Sequence, residues 1–146
     1  MQIPVTEDTR KQQLFKLCSN ILGQRPLIVA SNRGPLEYHL SPEGQLQPRR
    51  GSGAIVTALN SLIQNFEFTW VANAMGEGDR RAQGEAEDSS IRSPLPKQRV
   101  SARYVLTPRR MYHKFYNIFC NPLLWFLQHS MWSSAYTPNI DSTVHD

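Results

Sequence analysis

Three arginines and a glycine turn are the residues of this chain most able to do chemistry together. Arg33 lies at the end of the first strand, in the polar turn Ser31-Asn32-Arg33-Gly34-Pro35 that follows the apolar run Leu27-Ile28-Val29-Ala30. Arg49 and Arg50 precede Gly51-Ser52-Gly53, and Ala54 to Ile63 follows with apolar positions suited to a helix packed on a sheet. The order is strand, long loop, Gly-rich turn, helix. The first N–H groups of a helix have no intrahelical acceptor and carry partial positive charge, and small residues let a phosphate approach them. This unit reads as an anion-binding corner for a phosphorylated ligand. The same spacing equally describes a glycine turn that merely starts a helix, with the arginines solvated.

The elements that must position this corner follow from the chain in order. Thr6 to Leu22 reads as an amphipathic leading helix, with Leu14, Leu17, Cys18, Ile21 and Leu22 on one face and Gly23 as its C-terminal cap. Residues 1–25 are thus one element, and 26–146 the domain proper. Glu37 to Leu40 and Gln45 to Gln47 flank Ser41-Pro42-Glu43-Gly44, a hairpin turn over the mouth of the site, with His39 structural or solvated. Glu67 to Ala74 is a second strand, and Arg99 to Leu106, alternating polar and apolar, a third. Between them, residues 75–98 are rich in Gly, Ser, Pro and charge and read as a mobile loop. Glu77, Asp79, Glu85, Glu87 and Asp88 are accordingly read as solvated surface rather than metal ligands or catalytic acids. Thr107-Pro108 starts a helix that runs to about Phe119, Cys120-Asn121-Pro122 breaks it, and Leu123 to Met131 forms a short apolar helix. Ser133 to Asp146 reads as irregular. Strands alternating with helices imply an α/β fold with a parallel sheet. Three main strands make an incomplete Rossmann-like sheet, the first part of a larger domain.

Composition narrows the classes. The chain has 146 residues, 40% hydrophobic and 19% charged, with net charge +4. That is an ordinary globular composition. The modest positive excess suits small anionic ligands. Arginines scattered off any single helix, with no base-stacking motif, argue against nucleic acid. Cys18 and Cys120 suggest neither a disulfide framework nor a metal site, so a reducing cytoplasm is expected. The polar start is not a secretory signal, and no apolar stretch is long enough for a bilayer.

A second constellation is Tyr116-Asn117-Ile118-Phe119-Cys120-Asn121-Pro122-Leu123-Leu124-Trp125-Phe126-Leu127-Gln128-His129. Large aromatics beside Asn and His are the chemistry of sugar sites, where rings meet C–H faces and amides meet hydroxyls. Phe119 and Leu124 read as core; for Tyr116 and Trp125 both readings stand.

Arg33 within Ser-Asn-Arg, the Ser52 to Leu59 run, Trp70 and the Tyr116 to His129 run together resemble the opening third of the trehalose-6-phosphate synthase family, retaining glycosyltransferases of family 20. The match keeps its order from about Pro26 to His129. The resemblance implies a two-domain, GT-B-type architecture of which this chain is the N-terminal, acceptor-side portion, with the nucleotide-binding second domain missing. It implies transfer of glucose from UDP-glucose to glucose 6-phosphate, with no cofactor, no metal and no enzyme nucleophile, the leaving diphosphate helping to deprotonate the acceptor hydroxyl. Carried over, Arg33 holds the acceptor phosphate, Gly53 and Ala54 lie against the donor diphosphate, Tyr116 touches the acceptor, and Trp125 shapes the pocket that selects the anomer. Ala54 stands where the family usually has a second glycine. Val144-His145-Asp146 receives no role. The chain by itself is expected to be inactive in transfer. The alternatives are a related transferase or pseudo-glycosyltransferase with another acceptor, and a non-catalytic phosphosugar-binding or structural fragment.

Overall fold

A computed structural model describes residues 7–22 and 25–131. The Gly23 cap, the stretch from Ser133 to Asp146 and the Val144-His145-Asp146 run lie outside the described residues. The chain divides into two compact units, Met1–Val105 and Leu106–Asp146.

In the first unit, helix α1 (Glu7–Leu22) precedes strand β1 (Ile28–Ser31). A hairpin follows, β2 (Leu36–Leu40) and β3 (Leu46–Arg50), then two short helices, α2 (Ala54–Ala58) and α3 (Asn60–Asn65). Strand β4 (Phe68–Asn73), helix α4 (Glu77–Glu85), the two-residue strand β5 (Ile91–Arg92) and β6 (Val100–Val105) complete it. The main sheet has the order β1-β4-β6-β5. β1, β4 and β6 are parallel, with Val29 opposite Trp70 and Trp70 opposite Ala102; β5 runs antiparallel to β6. The fold is α/β with a parallel sheet, as read from the alternation of elements.

The strand alternation is visible in burial. Phe68, Trp70 and Ala72 of β4 and Val100, Ala102 and Tyr104 of β6 point to one face and are buried. Leu36 and Tyr38 of the hairpin, Val56 and Ile63 of the paired short helices, and Ala82 of α4 close over them to form the core. On the other face Ile28, Arg103 and Val105 are exposed. A period of two with one side buried is what β-branched, aromatic and small residues do at alternate positions.

Residues 75–98, read above as a mobile loop, contain α4 and β5. The reason the sequence hides α4 is that its anchors are not apolar. Only Ala82 offers the core a side chain with any hydrophobic area. The rest is backbone and charge. A Cβ on Gly78 would stand 2.0 Å from the Tyr38 carbonyl oxygen, so glycine there lets the helix lie directly on β2. Asp79, read as solvated, is buried: Oδ1 accepts from Tyr38 N at 2.7 Å, and Oδ2 accepts from Met75 N at 3.0 Å and Gly76 N at 3.2 Å. An acid three residues into a helix caps it, and this one also ties down the hairpin. Arg81 adds a bond to the Gly44 carbonyl at 2.8 Å, in the hairpin turn.

The leading helix also differs from its apolar face as read. Leu14, Leu17 and Ile21 are exposed, while Phe15 stacks on Phe66 with ring centroids 5.1 Å apart and Cys18 is half-buried. Phe15 is itself 51% exposed, so the helix meets the rest of the first unit through this ring contact and the half-buried Cys18 rather than through a buried apolar row.

The described residues of the second unit form one continuous helical segment: α5 (Arg109–Tyr112), a π-helix (His113–Leu124) and α6 (Trp125–Gln128). The sequence suggests Thr107 as the N-cap and Pro108 as the first helical residue; the helix starts one residue later, with Pro108 as the N-cap and Arg109 first. The expected break at Pro122 does not occur. Proline removes one N–H from the ladder, but here the wider π pattern carries the chain through, and the N–H of Trp125 reaches the Cys120 carbonyl five residues back.

Candidate functional site

Arg33 leaves the carboxyl end of β1, where ligands bind in open α/β sheets. The turn that carries it is fixed from below. The Trp70 indole N–H donates to Ser31 Oγ at 2.8 Å, and Ser31 Oγ donates to the Arg33 carbonyl at 2.6 Å. Asn73 N donates to the Asn32 carbonyl at 3.2 Å, so the turn stays registered on β4 beyond the end of β1. Trp70 is fully buried, so its single donor needs an acceptor, and the turn supplies it.

The Gly-rich turn comes back beside Arg33. Arg33 Nη1 donates to Ser52 Oγ at 3.2 Å. Gly53 is the N-cap of α2 with φ 126°, in the region that side chains with a Cβ rarely adopt; a Cβ built there would lie 3.9 Å from Arg33 Cδ. Glycine therefore lets the chain turn into the helix directly under the guanidinium. The Thr57 N–H and hydroxyl both bond the Gly53 carbonyl at 3.1 Å, holding the turn. Ala54, the first helical residue, is exposed. Helix α2 is only five residues long, so its dipole is small. The electrostatics of the corner come from side chains and individual N–H groups.

A residue that sequence reasoning missed sits at the centre. Glu37 Oε1 accepts from Ser52 N at 3.2 Å and from Ser52 Oγ at 3.1 Å, and it lies 3.8 Å from Arg33 Nη1. Its other oxygen is 3.9 Å from His39 Nε2. The charge four residues after Arg33 was the only signal in the sequence, and hairpin geometry was needed to give it meaning. Arg49 and Arg50, competing candidates for the anion, are exposed at the end of β3, with Arg49 opposite Glu37 in the ladder.

Two buried tyrosines meet where the hairpin rests on the sheet, Tyr38 from β2 and Tyr104 from β6. Tyr104 donates its hydroxyl to the Leu36 carbonyl at 2.9 Å and meets Tyr38 edge-on at 6.3 Å. Burial, followed by the negative charge of Asp79, pushes both phenols above their ordinary value. They are neutral supports of the hairpin.

Tyr116 and Trp125 belong to the second unit. Tyr116 is half-buried and stacks on Tyr112 at 5.3 Å. Trp125 is 49% exposed; its indole stacks on the His129 ring at 4.1 Å, and His129 Nδ1 lies 2.7 Å from the Trp125 carbonyl, which can only accept. Phe119 and Leu124, read as core, are 40% and 38% exposed. The first unit thus brings together Arg33, Ser52, Gly53 and Glu37, and the second presents Tyr116 and Trp125 on its own helix.

Among the described residues no group of three or more His, Cys, Asp or Glu side chains is placed to hold a metal ion. Among the same residues no helix is long and apolar enough to cross a membrane.

Residues 25–146 match the family model of glycosyltransferase family 20. Three relatives show the extent of the likeness. The trehalose-6-phosphate synthase of Mycolicibacterium smegmatis is 30% identical over 76% of this chain and 20% of its own length. The alpha,alpha-trehalose-phosphate synthase (UDP-forming) 2 of Aspergillus fumigatus is 30% identical over 73% of this chain and 21% of its own. Alpha,alpha-trehalose-phosphate synthase (UDP-forming) A of Dictyostelium discoideum is 32% identical over 70% of this chain and 13% of its own. The chain spans about a fifth or less of the length of these relatives.

Proposed function

The chain belongs to glycosyltransferase family 20, and from that premise we propose that it is the acceptor-side portion of an enzyme that transfers glucose from UDP-glucose to glucose 6-phosphate. The observation that carries the reading is the convergence of Arg33 with Ser52 and Gly53 at the carboxyl edge of β1. A guanidinium fork matches the oxygens of a phosphomonoester and holds them through paired charge-assisted hydrogen bonds.

In this reading Arg33 takes the phosphate of the acceptor. Gly53 and Ala54 lie against the donor diphosphate, which meets backbone N–H groups; UDP-glucose is a substrate, and no cofactor or metal is assigned. In the second unit Tyr116 meets the acceptor, and Trp125 shapes the pocket that selects the anomer. The architecture is GT-B, with a second nucleotide-binding domain forming the other wall of the cleft, and the partners are small phosphosugars and nucleotide sugars. The compartment is the cytoplasm, which free Cys18 and Cys120 suit.

Calorimetric titration of the chain with glucose 6-phosphate and with glucose tests this. The phosphorylated sugar binds at least tenfold tighter, and Arg33→Ala removes the difference. Equal affinity for the two sugars in the folded wild-type chain would overturn the assignment.

A further inference from the structure

We propose that Glu37 determines which anions the Arg33 corner accepts: its carboxylate fills the place of a ligand's anionic group, and only an anion able to displace it binds. The inference rests on the reading of Arg33 as a phosphate-holding residue, and the experiment below separates the two.

Donors from two chain segments face one oxygen. Ser52 N–H at 3.2 Å, Ser52 Oγ–H at 3.1 Å and the Arg33 guanidinium at 3.8 Å all address Glu37 Oε1. That set, an N–H, a hydroxyl and a guanidinium, is the donor set of a phosphate cradle, and here the protein's own carboxylate occupies it. The hairpin leaves Glu37 little choice. Its neighbours Leu36 and Tyr38 are buried in the core, and the Tyr38 N–H is held by Asp79. Strand alternation then sends the Glu37 side chain to the opposite side, toward the corner.

Two consequences follow from charge. The Arg33–Glu37 pair sums to zero, so at rest the guanidinium's charge is already answered, whatever field Arg49 adds from across the ladder. A competing group tethered to the site acts at high effective concentration, so a free carboxylate or a sulfate monoester, each with one charge, gains nothing over Glu37. A sugar phosphomonoester brings close to two charges and three acceptor oxygens and can replace Glu37 on all three donors. The displaced carboxylate has His39 on its far side, with Nε2 at 3.9 Å from Oε2. The ligand class is therefore a dianionic sugar phosphomonoester, selected against sugar carboxylates and sugar sulfates.

The test uses the full 15N-labelled chain and follows the Ser52 amide resonance during titration with glucose 6-phosphate, inorganic phosphate and glucuronate. Wild type, Glu37→Gln and Glu37→Ala are compared after circular dichroism shows that each is folded. Both variants bind glucose 6-phosphate about fivefold or more tighter than wild type, because a like charge has left the cradle. They gain proportionally more for glucuronate, so discrimination narrows. Unchanged or weaker phosphosugar binding in both variants overturns the proposal, including the case in which no protein binds at all. The Arg33 reading fails separately, if Arg33→Ala in the Glu37→Gln background leaves phosphosugar binding unchanged.

Discussion

Trp70 and Ser31 are joined by a 2.8 Å hydrogen bond from the indole N–H to the hydroxyl, between adjacent strands of the sheet. The largest fully buried side chain of the core thereby reaches the turn that carries Arg33. Ser31→Ala leaves the indole donor without its partner and costs about 1–3 kcal/mol. Urea unfolding measures the loss, and Trp70→Phe in the Ser31→Ala background should restore less than additive damage. Additive losses would show that the bond is not the coupling between the two residues.

Arg33→Lys tests geometry apart from charge. A guanidinium holding a phosphate by a fork contributes roughly 1.5–3 kcal/mol, or about tenfold to a hundredfold in affinity. Arg33→Ala should lose the preference for glucose 6-phosphate over glucose, and Arg33→Lys should fall between it and wild type. Should Arg50→Ala abolish the preference while Arg33→Ala keeps it, the phosphate lies on the β3 side of the hairpin's open end, where Arg50 pairs with Leu36.

Asp79→Ala removes the carboxylate that accepts from three backbone N–H groups at once, those of Tyr38, Met75 and Gly76. The expected loss is above about 3 kcal/mol, from a capped helix and a tethered hairpin together. Hydrogen exchange at the Tyr38 amide should accelerate more than at Trp70. Gly78→Ala, which would force a methyl into the Tyr38 carbonyl, should produce the same pattern without touching any charge. A uniform rise in exchange across the sheet would mean that α4 does not hold the hairpin selectively.

Alkaline pH should weaken the fold through Tyr38 and Tyr104. Their native phenols titrate above the ordinary value of 10.0 because burial and Asp79 disfavour the phenolate. The unfolded chain releases these protons near pH 10 while the native chain keeps them. Their contribution to stability is fully present below pH 10 and is lost as pH rises from there through the native values. Urea midpoints at pH 8, 9.5 and 11 should fall at the alkaline end. Tyr104→Phe, though less stable at pH 8 without its bond to the Leu36 carbonyl, should fall less steeply. Equal slopes would remove Tyr104 from the account.

What could be read from the sequence was whatever depends on period and on turn chemistry. The β4 and β6 strands announce themselves through alternation, the hairpin through Pro-Glu-Gly, and the corner through Arg33 and the Gly53 turn. What could not be read depends on backbone contact. Helix α4 is held by a glycine, a buried carboxylate and an arginine bond to a turn carbonyl, none of which leaves an apolar period. Glu37 becomes part of the corner only once β2 has its register. Pro122 is a reliable breaker for an α-helix, and no propensity scale registers that the chain will widen its hydrogen-bond ladder around it.

The sheet has a direction of growth. On its β5 side it ends in two residues, laid antiparallel and flanked by the Arg92–Glu67 ion pair at 3.2 Å, a blunt and charged border. On the other side, among the described residues, β1 has a partner along one flank only, and its Ile28 is exposed. A further strand therefore has one seam to join, beside β1. A parallel newcomer needs a crossover of about a dozen residues or more to reach it. Any such strand would lengthen the carboxyl edge next to Arg33 rather than at the far border.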